Sequence, residues 1–170
     1  PWHEMMGNYP NLREDMLEFR RMLEGQAAEW AAERATDADR QRLDQTFQAL
    51  QLACQSDDIE TRSDADIAFH QAIGDAAHNV LLGHLSAALL RLMHDNISLN
   101  LGELKTIPAA NALLLRQHTA IYESVRDHKP QAARNAAETH IDFVRETLAQ
   151  SLRSAARREI AERRLQTDFS

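Results

Sequence analysis

Long stretches with a helical apolar repeat, rarely interrupted by glycine or proline, restrict the fold of this chain more than any other feature. Its 170 residues include only five Gly and four Pro. Apolar side chains recur every three to four positions over most of the sequence, which places them on one face of a helix. Runs of alternating Val, Ile and Thr, which would favour strands, are missing from the sequence. We therefore predict an all-α domain.

Turn signals divide the chain into a predicted antiparallel bundle of about six to seven helices. Residues 1–10 end in Pro10 and are predicted to be a linker or arm, so that 11–170 form the domain. Short connections between long helices favour antiparallel neighbours. The predicted helices are a first at about 11–35, a second from Thr36, a third between the turn at 56–58 and Ala77, a fourth at roughly 80–99, a fifth from about Pro108 to His128, and a sixth from Pro130 past Ser154.

Charge and cysteine content narrow the class of protein. The formal net charge is −7, whereas a domain that grips nucleic-acid phosphates by itself needs a concentrated basic face. No stretch of the sequence approaches the roughly 20 apolar residues of a membrane span, and no secretory signal pattern is present. The single Cys54 excludes an internal disulfide and fits a reducing compartment. We expect a cytoplasmic domain without membrane contact.

Three histidines and one aspartate occupy positions where the helical pattern calls for apolar side chains. Asp66 and His70 are four residues apart in the third predicted helix, so both project from the same face. His118 and His140 each fall within an apolar stripe of their own helix, and we predict that all four side chains point inward. The three stripes are Asp66, Phe69, His70, Ile73 and Ala77; Leu114, His118, Ile121 and Val125; and Ala133, Ala137, His140, Val144 and Leu148.

The turn between the fifth and sixth helices predicts that two of these histidines lie at the same level. His118 precedes Lys129 by 11 residues, and His140 follows Lys129 by the same number. At a rise of about 1.5 Å per residue, both would lie about 16 Å from the turn of an antiparallel hairpin. We therefore expect the two imidazoles to face each other across the helix pair.

A divalent metal is the partner that best accounts for such a cluster. A lone core histidine is usually satisfied by one hydrogen bond, and that alternative holds for each residue taken singly. Four polar groups buried together need mutual partners, because an unpaired buried polar group is costly. Imidazole and carboxylate ligands suit Zn²⁺, Ni²⁺, Fe²⁺ or Mn²⁺. We predict a metal site formed by Asp66, His70, His118 and His140, with Zn²⁺ as the preferred ion.

Three segments of the sequence resemble a known bacterial family. They are EFRRMLEGQAAEWAA (18–32), DIAFHQAIGDAAHNVLL (66–82) and RQHTAIYESVRDHKPQAARNAAETHIDFV (116–144). In order and spacing they resemble the FadR C-terminal (FCD) effector-binding domain of GntR-type transcription regulators, in its metal-binding branch. The resemblance extends from Asn11 to about Leu152, and the lactate-, glycolate- and pyruvate-responsive members are the most similar in character.

The resemblance implies a set of partners for the domain. A small carboxylate effector, a 2-hydroxy or 2-keto acid, would complete the coordination of the metal. Arg20 falls at the family's R-x-x-L-E position, where its guanidinium could clamp a carboxylate. Asn79 and Asn96 are further candidates for effector binding, although Asn79 could equally cap the fourth helix. The resemblance also implies a homodimer and a winged helix-turn-helix DNA reader N-terminal to residue 1.

Two other functions are compatible with the same metal ligands. A helical metalloenzyme, such as a hydrolase, could use an open coordination position to activate water. His94-Asp95 resembles the pair of the HD phosphohydrolases, but it lies at a different level from the other ligands, and no spare general base is evident on the inner faces. A closed metal site with no cavity beside it would instead be structural. We expect a sensor and not an enzyme.

Overall fold

The computed structural model describes residues 12–94 and 110–167, and these two ranges form six α-helices and no strand. The predicted all-α fold is therefore confirmed. The arm at 1–10, Asn11, Asn96, the loop around Gly102 and the start of a helix at Pro108 lie outside the described residues. The helices are α1 (Leu12–Arg34), α2 (Asp37–Ala53), α3 (Ile59–Ala76), α4 (Val80–Leu92), α5 (Ala110–Arg126) and α6 (Pro130–Thr167).

Side-chain caps fix where three of the helices begin. Thr36 and Asp39 form a capping box at the start of α2, with each side chain accepting from the other's backbone amide. The Asp58 carboxylate accepts from two amides of the first turn of α3. The Asn79 carboxamide oxygen accepts from the Leu82 amide at 2.9 Å and caps α4. Because these residue types favour local hydrogen bonds over helix interiors, the sequence already marked the three starts.

The fourth helix is shorter than its predicted range of 80–99. It ends at Leu92, and Met93 leaves helical geometry with φ −90° and ψ 0°. The apolar repeat continues past this point in the sequence, so periodicity alone did not reveal the break. The ends of helices are harder to predict from a sequence than their interiors, because the last turn often departs from regular geometry.

The turn between α5 and α6 has a defined hydrogen-bonding pattern. His128 adopts a left-handed conformation with φ 54°. Its amide donates to Val125 O, and the Lys129 amide donates to Ser124 O at 2.9 Å. These two bonds form the Schellman arrangement, which satisfies the carbonyls at the end of a helix. Pro130 then begins α6 as predicted, because proline needs no hydrogen bond in the first turn. The turn thus fixes the register of the two helices that carry His118 and His140.

Helix α1 lies antiparallel to α6 and closes the bundle. Arg21 pairs with Asp142 at 3.0 Å near the middle of the contact, and Arg134 pairs with Glu29 nearer the turn. The two helices approach closely at Gly25, where an added Cβ would lie 2.9 Å from Glu138 Cγ. This close packing places the inner face of α1 against the histidines of the neighbouring helices.

The buried face of α1 differs from its predicted stripe. The apolar repeat of α1 predicts an inward stripe of Leu12, Met16, Phe19, Leu23, Ala27 and Trp30. Met16, Leu23 and Ala27 are buried as this repeat predicts, whereas Phe19 is 42% exposed and Trp30 lies at the edge of the core. The buried positions also include Leu17, Arg20, Glu24, Ala28 and Ala31. The buried face is wider than a single stripe because α1 packs against several helices. The small alanine side chains allow these helices to approach closely. The wider face brings Arg20 and Glu24 into the interior.

Two apolar clusters fill the core, and polar residues separate them. The first cluster, near the α5–α6 turn, contains Ile121 and Ala137. The second, at the opposite end, contains Leu114 and Val144. His118 and His140 lie between these positions along their helices. No helix in the two described ranges is long and apolar enough to cross a membrane.

Candidate functional site

A layer of buried polar side chains separates the two apolar clusters. We call it the polar layer and define it as Arg20, Glu24, Asp66, His70, His118 and His140. Each of these residues is buried, with 7% exposure or less. They come from four different helices: α1, α3, α5 and α6. Their burial matches the sequence prediction for the aspartate and the three histidines.

The three imidazoles of the polar layer converge. His118 and His140 have ring centroids 4.4 Å apart, as the register of the hairpin predicted. The Nε2 atoms of His70 and His118 are 3.3 Å apart. One ring nitrogen from each of the three histidines lies within 4.8 Å of the other two. This spacing is compatible with a single cation that accepts all three nitrogens, since Zn–N bonds are about 2.0–2.1 Å long.

Asp66 adds a carboxylate to one side of this group. Its Oδ1 lies 3.1 Å from His118 Nε2, and its Oδ2 lies 3.9 Å from His70 Nε2. Asp66 is therefore adjacent to two of the three imidazoles. The helical spacing of Asp66 and His70 produces this arrangement, because residues four apart lie one turn apart on the same face.

The outer nitrogens of two imidazoles have partners that fix the ring orientation. His70 Nδ1 lies 2.6 Å from Glu24 Oε2, and His140 Nδ1 lies 3.0 Å from Gln117 Oε1. With the ring proton on Nδ1, facing these oxygens, the Nε2 atom of each ring is left free to act as a ligand. Histidines that bind metals commonly have such an acceptor behind them. His118 Nδ1 is buried and has no hydrogen-bond partner among the described residues.

Burial and neighbouring charges shift the pKa values of His118, His140 and Asp66. Burial lowers the pKa of His118, and burial together with the other two histidines lowers the pKa of His140 well below its ordinary value. Burial by itself would raise the pKa of Asp66, but the hydrogen bond from His118 and nearby positive charge outweigh it and hold that pKa well below its usual range. Neutral imidazoles and an ionised carboxylate are the forms that coordinate metals.

Arg20 is the positive charge of the layer. Its side chain is 2% exposed, and its Nε donates to Glu24 Oε1 one turn further along α1. Its Nη2 is buried without a hydrogen-bond partner among the described residues. A guanidinium with an unused donor facing a protein interior is suited to an incoming carboxylate.

A small enclosed cavity lies beside His70. Its volume of about 10 Å³ is room for about one water. Glu24 and Ser86 contribute polar groups to its lining, and the Ser86 hydroxyl is buried without a partner among the described residues. The site therefore has unused hydrogen-bonding groups but little free space with the side chains in this arrangement.

Other residues proposed from the sequence lie elsewhere. Asn79 caps α4 and lines an open groove of about 630 Å³ between α3 and α4, not the cavity beside His70. Asn96 is outside the described residues. His94 lies 3.4 Å from Asp64 and is separate from the cluster of three imidazoles. Of the proposed effector residues, only Arg20 is placed in the polar layer by the structure.

Glu24 and Gln117 belong to the site but were not predicted from the sequence. Glu24 follows Arg20 by four residues, so its helical spacing could have indicated a shared face. Gln117 gave no comparable signal, because an uncharged residue next to a core histidine is common on a half-buried helix. Its role depends on the register of α5 against α6, which places it beside His140.

A comparison with protein families identifies the domain. The sequence model of the family described as the FCD domain matches residues 15–143, which is most of the chain. The chain belongs to the FCD domain family. The polar layer of this FCD domain lies entirely within the matched residues.

Curated relatives of this FCD domain are named as transcription regulators. It is 28% identical over 148 residues to an Escherichia coli protein whose name assigns it to the regulation of an L-lactate dehydrogenase operon, with 87% of this chain and 56% of the relative covered. It is 28% identical to the E. coli Glc operon transcriptional activator, covering 87% of this chain and 59% of the relative. It is 33% identical to the HTH-type transcriptional regulator LutR of Bacillus subtilis, covering 79% and 61%. The chain thus spans little more than half the length of these relatives.

Solved structures have the same fold as this FCD domain. Streptococcus agalactiae GntR matches with a TM-score of 0.67 and 25% identity, over 81% of this chain and 59% of the other. E. coli McbR/YncC matches with a TM-score of 0.70 and 18% identity, over 82% and 65%, and at that identity it supports the fold alone. The predicted relationship to GntR-type regulators is confirmed by the family model, the curated relatives and the S. agalactiae GntR structure.

Proposed function

We propose that this FCD domain binds one divalent metal through Asp66, His70, His118 and His140. The convergence of three buried imidazoles within 4.8 Å carries the proposal. Without a cation, the facing ring nitrogens and the carboxylate are mostly hydrogen-bond acceptors, and too few N–H donors are present to satisfy them. The acceptors behind His70 and His140 add support, because they orient the rings as metal sites require. Zn²⁺ is the preferred ion, and Ni²⁺, Mn²⁺ and Fe²⁺ suit the same nitrogen and oxygen donors.

We further propose that a small carboxylate is the effector of this site. A divalent ion with four protein ligands can accept additional oxygen ligands, and a 2-hydroxy or 2-keto acid such as lactate, glycolate or pyruvate offers two of them. The Arg20 guanidinium, buried with one unused donor, would hold the carboxylate in place. The names of relatives that refer to lactate and Glc operons favour this class of ligand.

The domain would act as the sensor of a cytoplasmic DNA-binding regulator. The relatives are longer than this chain, and one is named an HTH-type regulator, so the DNA reader would be a separate N-terminal domain. Exposed apolar side chains on α1 and α4, among them Met22, Leu81 and Leu85, offer a surface for a homodimer. The effector would change the affinity for DNA only if it binds one conformation of the dimer more tightly than the other.

Metal analysis combined with calorimetry tests this proposal. Purified protein should contain about one divalent ion per chain, and it should bind L-lactate, glycolate or pyruvate at micromolar to millimolar concentration. Removal of the ion with a chelator should abolish the binding heat, and re-addition should restore it. An unchanged titration after metal removal would contradict the metal-dependent mechanism.

The small size of the cavity favours one competing function. A metal in a closed site would serve stability alone, and the volume of about 10 Å³ beside His70 is compatible with that. The same titration separates the two functions, because a structural ion predicts no heat with any of the three acids. A hydrolase would instead be revealed by steady turnover of a phosphoester, and the regulator names of the relatives argue against it.

A further inference from the structure

Glu24 occupies part of the donor edge of Arg20 that an anion bound by two hydrogen bonds would need. One of its oxygens accepts from Arg20 Nε, and the other lies 2.6 Å from His70 Nδ1. Both Arg20 and Glu24 are buried, with 2% and 7% exposure. The carboxylate thus links the guanidinium of α1 to an imidazole of α3 inside the protein.

The cavity that Glu24 and His70 line is too small for a second carboxylate. A carboxylate group has three heavy atoms, whereas the cavity beside His70 has room for about one water. Most of the lining consists of short or stiff apolar side chains: Ala27, Ala28, Ile73, Leu90, Ile121 and Ala137. Glu24 is the long flexible side chain of this lining, so its movement is the simplest way to open the space.

Crowding of like charges on Arg20 also favours exchange over addition. Arg20 is already paired with Glu24, and a second carboxylate on the same guanidinium would be repelled by the first at short range, although the metal attracts both. A ligand that takes the place of Glu24 restores the ion pair of Arg20. A neutral ligand that displaced Glu24 would leave the guanidinium buried without a counter-ion, which is costly.

We propose that Glu24 is an internal carboxylate that the effector must replace on Arg20. This inference rests on the proposed binding of a carboxylate effector. Glu24 then sets the affinity of the site and selects ligands that bring their own carboxylate. Breaking the Arg20–Glu24 pair costs free energy each time the effector binds, and this cost weakens the affinity of the sensor for its effector.

Calorimetry on metal-loaded Glu24→Gln protein tests the exchange. The amide keeps the shape of the side chain but accepts less strongly from Arg20, so L-lactate should bind roughly tenfold more tightly than to the wild type. Lactamide, which lacks the carboxylate, should bind to neither protein. Glu24→Asp is a second variant, because its shorter side chain keeps a charge but cannot contact both partners; it should also increase the affinity for L-lactate.

Gln117→Leu is the matched control. Gln117 stands behind His140 as Glu24 stands behind His70, but it does not contact Arg20. At saturating metal this variant should bind L-lactate no more tightly than the wild type. Metal content is measured for each protein, so a change in the ion is separated from a change at Arg20.

The outcomes distinguish the two proposals. If the wild type binds L-lactate and both Glu24 variants bind it equally or more weakly, Glu24 only orients His70 and the exchange is refuted. If only the Glu24 variants bind L-lactate, the exchange is supported, and Glu24 is the reason that the wild type gives no binding heat. If no protein binds L-lactate, glycolate or pyruvate with metal present, both the carboxylate function and the exchange are overturned.

Discussion

His118 and His140 face each other with ring centroids 4.4 Å apart, each 11 residues from Lys129 in the turn that joins α5 and α6. The turn and the two helical stripes together determine this pairing. It brings two nitrogen donors to one level of the core, and His70 from α3 completes the group.

Loss of one imidazole should abolish tight metal binding. His140→Ala removes one of three nitrogen donors, and we expect Zn²⁺ affinity to fall by more than about a hundredfold, beyond the loss typical of an outer partner. Competition with a chromophoric chelator measures the affinity. His84→Ala is the control, because His84 lies exposed on α4, with its Nδ1 2.8 Å from Val80 O of the same helix. Equal affinity in the two variants would remove His140 from the site.

Removal of the metal should lower the thermal stability of the domain. An ion at about a thousandfold above its Kd stabilises the folded state by about 4 kcal/mol. For a domain of this size that corresponds to a Tm change on the order of 10 °C. Differential scanning calorimetry with and without a chelator gives the shift. A Tm unaffected by the chelator in protein shown to have lost its ion would mean that the metal does not stabilise the fold.

Arg20 should be needed for effector binding and not for metal binding. Arg20→Lys keeps a positive charge beside Glu24 but loses the planar pair of donors, so L-lactate affinity should fall by about tenfold or more. Zn²⁺ affinity should change little. Arg21→Lys is the matched control, since Arg21 pairs with Asp142 on the surface. A similar loss of L-lactate affinity in both variants would place the effector away from the polar layer.

Metal-stripped protein should become less stable as the pH falls. The pKa values of His118 and His140 are lowered in the folded state, so below about pH 6.5 the unfolded chain binds more protons than the folded one. The depressed pKa values of Asp66 and Glu24 act in the same direction, and their contribution is lost below about pH 4. Tm should therefore decrease from pH 7.5 to pH 5.5.

The variant His140→Leu separates the contribution of the histidines to this pH dependence from that of the carboxylates. His140→Leu lacks one group that must stay neutral, so its Tm should change less over the same interval. All samples need equal ionic strength, because Arg20 and the four titrating groups interact electrostatically. A stripped wild type that is more stable at pH 5.5 than at pH 7.5 would contradict the assigned direction.

The sequence by itself determined the helices and the inward direction of the proposed ligands. Capping residues such as Thr36 and Asp58 marked helix starts, because their side chains bond to backbone amides only a few residues away. The periodicity of the stripes placed Asp66, His118 and His140 inside, since a helix of regular geometry leaves little freedom in where a side chain points.

Only the tertiary structure decided which groups stand behind these residues. Arg20 and Glu24 turned inward because α1 buries a wider face than its stripe indicated, and the pairing of Glu24 with His70 joins two helices distant in sequence. The contact of Gln117 with His140 and the small cavity beside His70 likewise depend on how the helices approach one another. Such contacts arise from packing between helices, and the regular pattern of one helix does not specify the distance to the next.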